Sequence, residues 1–178
     1  MLPESERLLF RELVASDLDF VSEMLSDPEV MRYYPSPLSR EESSAWIERQ
    51  RARYARDGSG LWLVLDRATE QARGQVGLVL QGVDGEVLPE VGYLIHRPFW
   101  RRGLASEAAL ATRDWAFSVL GAGRVISLIR DENLPSQAVA RKMGMSPWRR
   151  TLRSAIPHGV FSIEAPAAPL GAFRASRG

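Results

Sequence analysis

Cysteine is absent from the 178 residues. That excludes a disulfide framework, thiolate zinc sites, iron–sulfur clusters and a cysteine nucleophile. Histidine is reduced to His96 and His158, so a histidine-rich metal site is not expected, nor any bound metal. Lysine is reduced to Lys142, and the other 22 of the 23 basic residues are arginine. No charge of one sign prevails: the formal net charge is +1. A partnership with nucleic acid or with a membrane surface is therefore not expected. Long hydrophobic runs are missing too, none approaching the ~18–20 residues of a membrane span. The first six residues have neither a basic nor an apolar leader region, so a cytoplasmic location is expected. G-x-x-x-x-G-K-[ST], G-x-G-x-x-G and G-x-S-x-G are all lacking. Their absence argues against a P-loop NTPase, a dinucleotide-binding Rossmann site and a hydrolase elbow.

What is present is the composition of a folded domain, 45% hydrophobic and 25% charged. The length suits one domain, expected over residues 1–164. Residues 165–178, rich in Ala, Pro and Gly, are expected to form a mobile tail.

Periodicity and turn residues predict the elements in order. Leu8 to Leu13 reads as a strand. Ser16 with Asp19 resembles a capping box ahead of Leu18, Val21 and Leu25 at helical spacing. Ser39-x-x-Glu42 opens a second helix, carrying Trp46, Ile47 and Tyr54, which Gly58 and Gly60 end. Strands follow at Leu61–Asp66, Gln75–Gln81 and Glu90–Ile95, with turns at Gln71–Gly74 and Asp84-Gly85. A helix from Gly103 to Leu120 has Leu104, Ala108, Ala111, Trp115 and Val119 on one face. Val125–Ile129 reads as a buried strand, and Asn133 caps a short helix ending at Gly144. Weaker strands lie near Trp148–Leu152 and Val160–Ile163. The order βααβββαβαββ predicts an α/β fold, a mixed sheet with helices on both faces.

One segment carries chemistry. After the strand Glu90–Ile95, His96 to Arg102 forms a Pro- and Arg-containing loop that enters a helix through Gly103. First-turn amides have no partner within a helix and sit at its positive end, which suits an anion such as a pyrophosphate. Gly103 and Ala105 leave room for its approach. Arg97, Arg101 and Arg102 add positive charge.

Trp100-x-x-Gly103-x-Ala105 resembles the acetyl-CoA signature Q/R-x-x-G-x-G/A of the GNAT N-acetyltransferases, with Trp100 in place of Gln or Arg. The Trp variant with Ser106-Glu107-Ala108 is similar to the RimJ/RimL-like, ribosomal-protein-alanine N-acetyltransferase-type branch. So are Glu90-Val91-Gly92-Tyr93, Asn133-x-x-Ser136, Lys142-Met143-Gly144-Met145, Glu6-Arg7-Leu8 and Asp27-Pro28-Glu29-Val30-Met31. The resemblance covers about residues 6 to 164.

It implies the GNAT fold, in which the strand before the signature splays from the next parallel strand to admit acetyl-CoA. On this resemblance Ile95 bonds the pantetheine through its backbone. The amides of Arg101, Arg102, Gly103, Leu104 and Ala105 hold the pyrophosphate, and Asn133 reaches the pantetheine from the other side. Acyl transfer needs a neutral amine and hence a base. Glu90 matches the acidic residue the family often has there, with Glu107 as second choice. Where many members have a Tyr acid on the last short helix, this chain has Ala140; Ser136 is the candidate to assist the departing thiolate. Tyr33, Tyr34 and Trp46 are candidates for the acceptor pocket.

The expected activity is direct transfer of acetyl from acetyl-CoA to a primary amine, either a protein N-terminal α-amine or a small molecule. The alternative is a non-catalytic acyl-CoA-binding module on the same fold. A homodimer is compatible with the family.

Overall fold

Asp84 and Gly85 both adopt positive φ, 49° and 87°. This is the pair of left-handed residues that a two-residue hairpin turn matched to strand twist requires. It joins β3 (Ala72–Val83) to β4 (Glu86–Ile95), the longest antiparallel pair of the sheet. The structure is a computed structural model and describes residues 1–167. Of the expected tail, residues 168–178 lie outside those described.

The remaining elements are β1 (Leu8–Arg11), α1 (Leu18–Ser26), α2 (Arg40–Asp57), β2 (Leu61–Asp66), α3 (Leu104–Ser118), β5 (Arg124–Arg130), α4 (Leu134–Lys142), β6 (Ser146–Arg153) and β7 (Ile156–Glu164). Helical turns at Ala15–Asp17 and Arg97–Phe99 precede α1 and α3. The sheet order is β1-β2-β3-β4-β5-β7-β6, and only β4 with β5 is parallel. The predicted α/β mixed sheet and its element order are observed.

Local chemistry explains most boundaries. The Ser39 hydroxyl accepts the Glu42 N–H at 3.2 Å, and the Glu42 carboxylate accepts the Ser39 N–H at 2.7 Å. This reciprocal cap starts α2. Gly58, at φ 70°, ends it by donating its N–H to the Tyr54 carbonyl.

Two local expectations are corrected. The turn after β2 is not at Gln71–Gly74 but at Arg67–Glu70, where Asp66 Oδ1 accepts the N–H groups of Ala68 and Thr69. A carboxylate ending a strand makes the turn without glycine. Gly74 instead lies within β3, because a Cβ there would stand 2.2 Å from the Leu94 carbonyl oxygen. Ahead of α1 the capping carboxylate is Asp17 rather than the Ser16/Asp19 pair; it accepts the Val14 N–H at 2.9 Å and binds Arg11.

Helices cover both faces. Cross-strand register places Trp62, Val76 and Tyr93 on one face, and Leu63, Gln75 and Leu94 on the other. Trp115 of α3 meets Trp62 edge-on at 5.0 Å. Trp46 of α2 donates its indole N–H to Gln75 Oε1 at 2.8 Å on the opposite face. The Trp62–Trp115 pair stabilises by roughly 0.5–1.5 kcal/mol beyond its burial. Among the described residues, no helix is long and apolar enough to cross a membrane.

Candidate active site

The parallel pair at the sheet centre is barely a pair. β4 bridges β5 only at Glu90 and Ile126, while β3 stays registered with β4 out to Ile95. Beyond the bridge, side chains replace the ladder. Ser127 Oγ donates to the Val91 carbonyl at 2.8 Å, and Glu90 Oε1 accepts the Leu128 N–H at 3.2 Å. The strands part at that point.

Alternation decides which β4 groups face the opening. His96 donates to Arg73 of β3, so the even-numbered residues turn to β3 and Val91, Tyr93 and Ile95 turn to the opening. The Ile95 carbonyl already accepts the Trp100 indole N–H at 2.6 Å. The Tyr93 N–H and carbonyl and the Ile95 N–H remain on an edge where β5 does not pair. Trp100 in the signature thus caps the strand end.

A second set of unpaired groups begins at the loop. Arg101 and Gly103 take left-handed φ of 61° and 78°. The first bond of α3 runs from the Glu107 N–H to the Gly103 carbonyl, so the N–H groups of Leu104, Ala105 and Ser106 have no helical partner. Those of Arg101, Arg102 and Gly103 have none among the described residues either. Successive N–H groups in such a loop form an anion-binding concavity at the positive end of the helix dipole. The flanking arginines Arg97, Arg101 and Arg102 are all exposed, and Arg97 is also paired to Asp27 at 3.2 Å.

Glu107 has other work. Its carboxylate accepts from Ser5 Oγ, the Arg7 N–H and Arg7 Nε, at 2.8, 2.8 and 2.6 Å. Burial pushes its pKa up, but these bonds outweigh that and hold it below the usual range. This anchors the N-terminal segment to α3.

Glu90 is the opposite case. Its side chain is only 13% exposed. Burial raises its pKa despite the charge of Arg153, the Leu128 N–H and the charge of Arg53. Arg153 Nη1 lies 3.8 Å from Glu90 Oε2. Tyr34 belongs to the same cluster. Its phenol is pushed up to about 12 by desolvation and then by the Glu90 charge. The residue as a whole is 37% exposed.

The start of α4 closes the other side. Asn133 Oδ1 accepts the Ser136 N–H at 3.1 Å and caps this helix. The Tyr93 hydroxyl donates to the Ser136 carbonyl at 2.8 Å, fastening α4 to β4. The Ser136 hydroxyl has no protein partner among the described residues. Ala140 is fully buried in the core, so its position faces inward.

Ile95 is thus continuous with the 101–105 amides, Tyr93 fastens the Ser136 end of α4 to the same strand, and Glu90 stands where the strands part. Tyr93, Arg153 and Arg53 were not singled out from sequence. Strand alternation from Glu90 places Tyr93 on the opposite face, but no local spacing connects Arg153 or Arg53 to Glu90.

A family model described as "Acetyltransferase (GNAT) domain" matches residues 7–146. The chain belongs to the GNAT acetyltransferase family. It is 30% identical over 142 residues to the Bacillus subtilis "Uncharacterized N-acetyltransferase YnaD", covering 79% of this chain and 80% of the relative. A GNAT-family acetyltransferase structure from Bacillus anthracis superposes with a TM-score of 0.79 at 25% identity, over 93% of this chain and 99% of that one. RimL, a ribosomal L7/L12 α-N-protein acetyltransferase solved in complex with coenzyme A, shares the fold: TM-score 0.74, 15% identity, 92% and 97% coverage. The family's general reaction is acetyl transfer to an amine, and its acyl donor is acetyl-CoA. Among the described residues there is no cluster of potential metal ligands.

Proposed function

We propose that residues 1–164 form an acetyl-CoA-dependent N-acetyltransferase domain that uses Glu90 as base toward a primary amine. The observation that carries this reading is the unpaired edge of β4, continuous with the unpaired amides at the start of α3.

The two sets of groups fit the donor's chemistry. Tyr93 N–H and C=O with the Ile95 N–H match a secondary-amide arm, as one more strand would. The amides of Arg101, Arg102, Gly103, Leu104 and Ala105 match a pyrophosphate. Asn133, its Oδ1 used in capping, offers its NH2 group from the opposite wall. When bound, acetyl-CoA supplies an acyl group activated as a thioester.

Glu90 and Tyr93 project from opposite faces of the sheet, so the opening runs through it. The donor then lies toward α3 and α4, and the acceptor arrives from the α2 side. Glu90 takes a proton from the incoming ammonium so that the amine is nucleophilic. Burial brings its basicity closer to neutral pH, where a general base works best. The Ser136 hydroxyl is a hydrogen-bond donor for the departing sulfur. The amine belongs to a protein N-terminus or to a small molecule.

A second reading, an acyl-CoA-binding module without catalysis, is favoured by one observation: both Glu90 oxygens already have neighbours, Leu128 and Arg153. Purified protein mixed with acetyl-CoA and a broad amine panel separates the two. Amine-dependent coenzyme A release supports the enzyme. Tight acetyl-CoA binding without release for any amine supports the module.

A further inference from the structure

The arginines of α2 are sorted by partner. Arg40, Arg51 and Arg56 each contact a carboxylate: Asp19, Glu48 and Asp57, within 2.8 Å. Arg49 and Arg53 contact none among the described residues. They are four residues apart, so their charges share a helix face and repel one another. Arg49 lies over the Trp46 ring, 5.5 Å from its centroid, on the side of α2 that meets the sheet. Arg53 is half-buried, and its Nη1 donates to Gln50 Oε1 at 3.1 Å. Gln50 is fully buried and also holds the Leu61 N–H, which fixes the guanidinium it carries.

From the other side comes Arg153, the last residue of β6. The hairpin behind it turns through Ser154 and Ala155 at φ 49° and 60°, a left-handed pair made without glycine. Its guanidinium reaches Glu90 only loosely, at 3.8 Å. Gln50, which carries Arg53, holds the Leu61 N–H, and Leu61 lies across Gly77 from Gly92, two residues from Glu90 on the same face of β4, so Arg53 comes to the Glu90 region from α2 as Arg153 does from β6. Two guanidiniums thus stand beside one carboxylate on the acceptor side of the opening. One positive charge is left without a partner.

We propose that the acceptor amine carries a carboxylate, held between Arg53 and Arg153 while its amino group faces Glu90. This rests on the acyl-transfer reading above. A planar guanidinium fork suits a carboxylate. The same charges disfavour polycationic acceptors, whose second ammonium would face arginine. A carboxylate drawn to Arg153 also weakens that residue's hold on Glu90, leaving the base freer to take the amine's proton.

The test compares paired amines that differ by one carboxylate: β-alanine with propylamine, leucine with leucinamide, and an acidic tripeptide with its neutral amide counterpart. Rates are corrected for the neutral-amine fraction. The proposal expects kcat/KM at least tenfold higher for the carboxylate member of one pair, and which pair responds tells a free amino acid from a peptide. Arg53→Gln and Arg153→Gln should each cut that preference several-fold, mostly through acceptor KM, with acetyl-CoA affinity and Tm retained. Arg153→Lys, which keeps the charge and loses the fork, should retain part of it. Coenzyme A release with no carboxylate preference, or a preference indifferent to both Gln variants, overturns this proposal alone. Absence of release with every amine overturns the acyl-transfer reading, and this one with it.

Discussion

Replacing Gly103 with valine or with asparagine separates two reasons for a glycine at the start of α3. Gly103 sits at φ 78°, and a Cβ there would meet only the end of the Arg7 side chain, at 3.5 Å. The fold itself therefore has room, and the obstacle is conformational. A left-handed backbone costs an ordinary L-residue roughly 1–2 kcal/mol, and a β-branched one sits at the upper end of about 1–3 kcal/mol. A valine variant relieves that strain by turning φ negative, which swings the neighbouring amides out of the concavity. Binding must then restore the strained form. At about 1.4 kcal/mol per decade, acetyl-CoA Kd should rise about 10–100-fold. Asparagine tolerates the left-handed region, so its Kd should stay within about threefold of the parent. Titration calorimetry with acetyl-CoA reads both. Parental affinity in Gly103→Val would refute the argument. Asparagine as weak as valine would also refute it, because space rather than conformation would then be what glycine supplies.

Two carboxylates should give opposite pH trends in one series of melting curves. For Glu90, whose folded pKa is raised, the stability of the parent relative to Glu90→Gln is greatest below the ordinary carboxylate range and is lost as pH rises through the folded pKa. For Glu107, whose folded pKa is lowered, the advantage over Glu107→Gln is present above that range and disappears as pH falls through the folded pKa. Ser127→Ala leaves the buried Val91 carbonyl without its donor. It should cost about 1–3 kcal/mol, read as a Tm lowered by about 2–4 °C per kcal/mol.

The element order was legible because its signals are local. The Ser39/Glu42 cap, the Asp84-Gly85 turn and the face of α3 carrying Leu104, Ala108 and Trp115 each act within a few residues. The misplaced turn after β2 shows the limit. Gly74 reads as a turn residue in sequence, yet its reason lies across the sheet at Leu94, twenty residues on. The site divides the same way. The strand–loop–helix unit of Ile95 and 101–105 is contiguous, so its unpaired amides follow from sequence once the helix start is located. The parting of β4 from β5 depends on Ser127 and Glu90 replacing ladder bonds, and Arg153 comes from a hairpin some sixty residues away. Pairings at that separation leave no periodicity to read. Arginine excess alone said little; which arginines lack a carboxylate partner is a fact of the fold.

The most direct measurement is the pH–rate profile of acetyl transfer to the best amine of the panel, for the parent and for Glu90→Gln. An ascending limb is expected in the parent, set by a carboxyl group above the ordinary glutamate range, and its loss together with most of kcat in the variant, with acetyl-CoA affinity retained. Profiles that superimpose, with equal kcat, would contradict this expectation and remove Glu90 as the base.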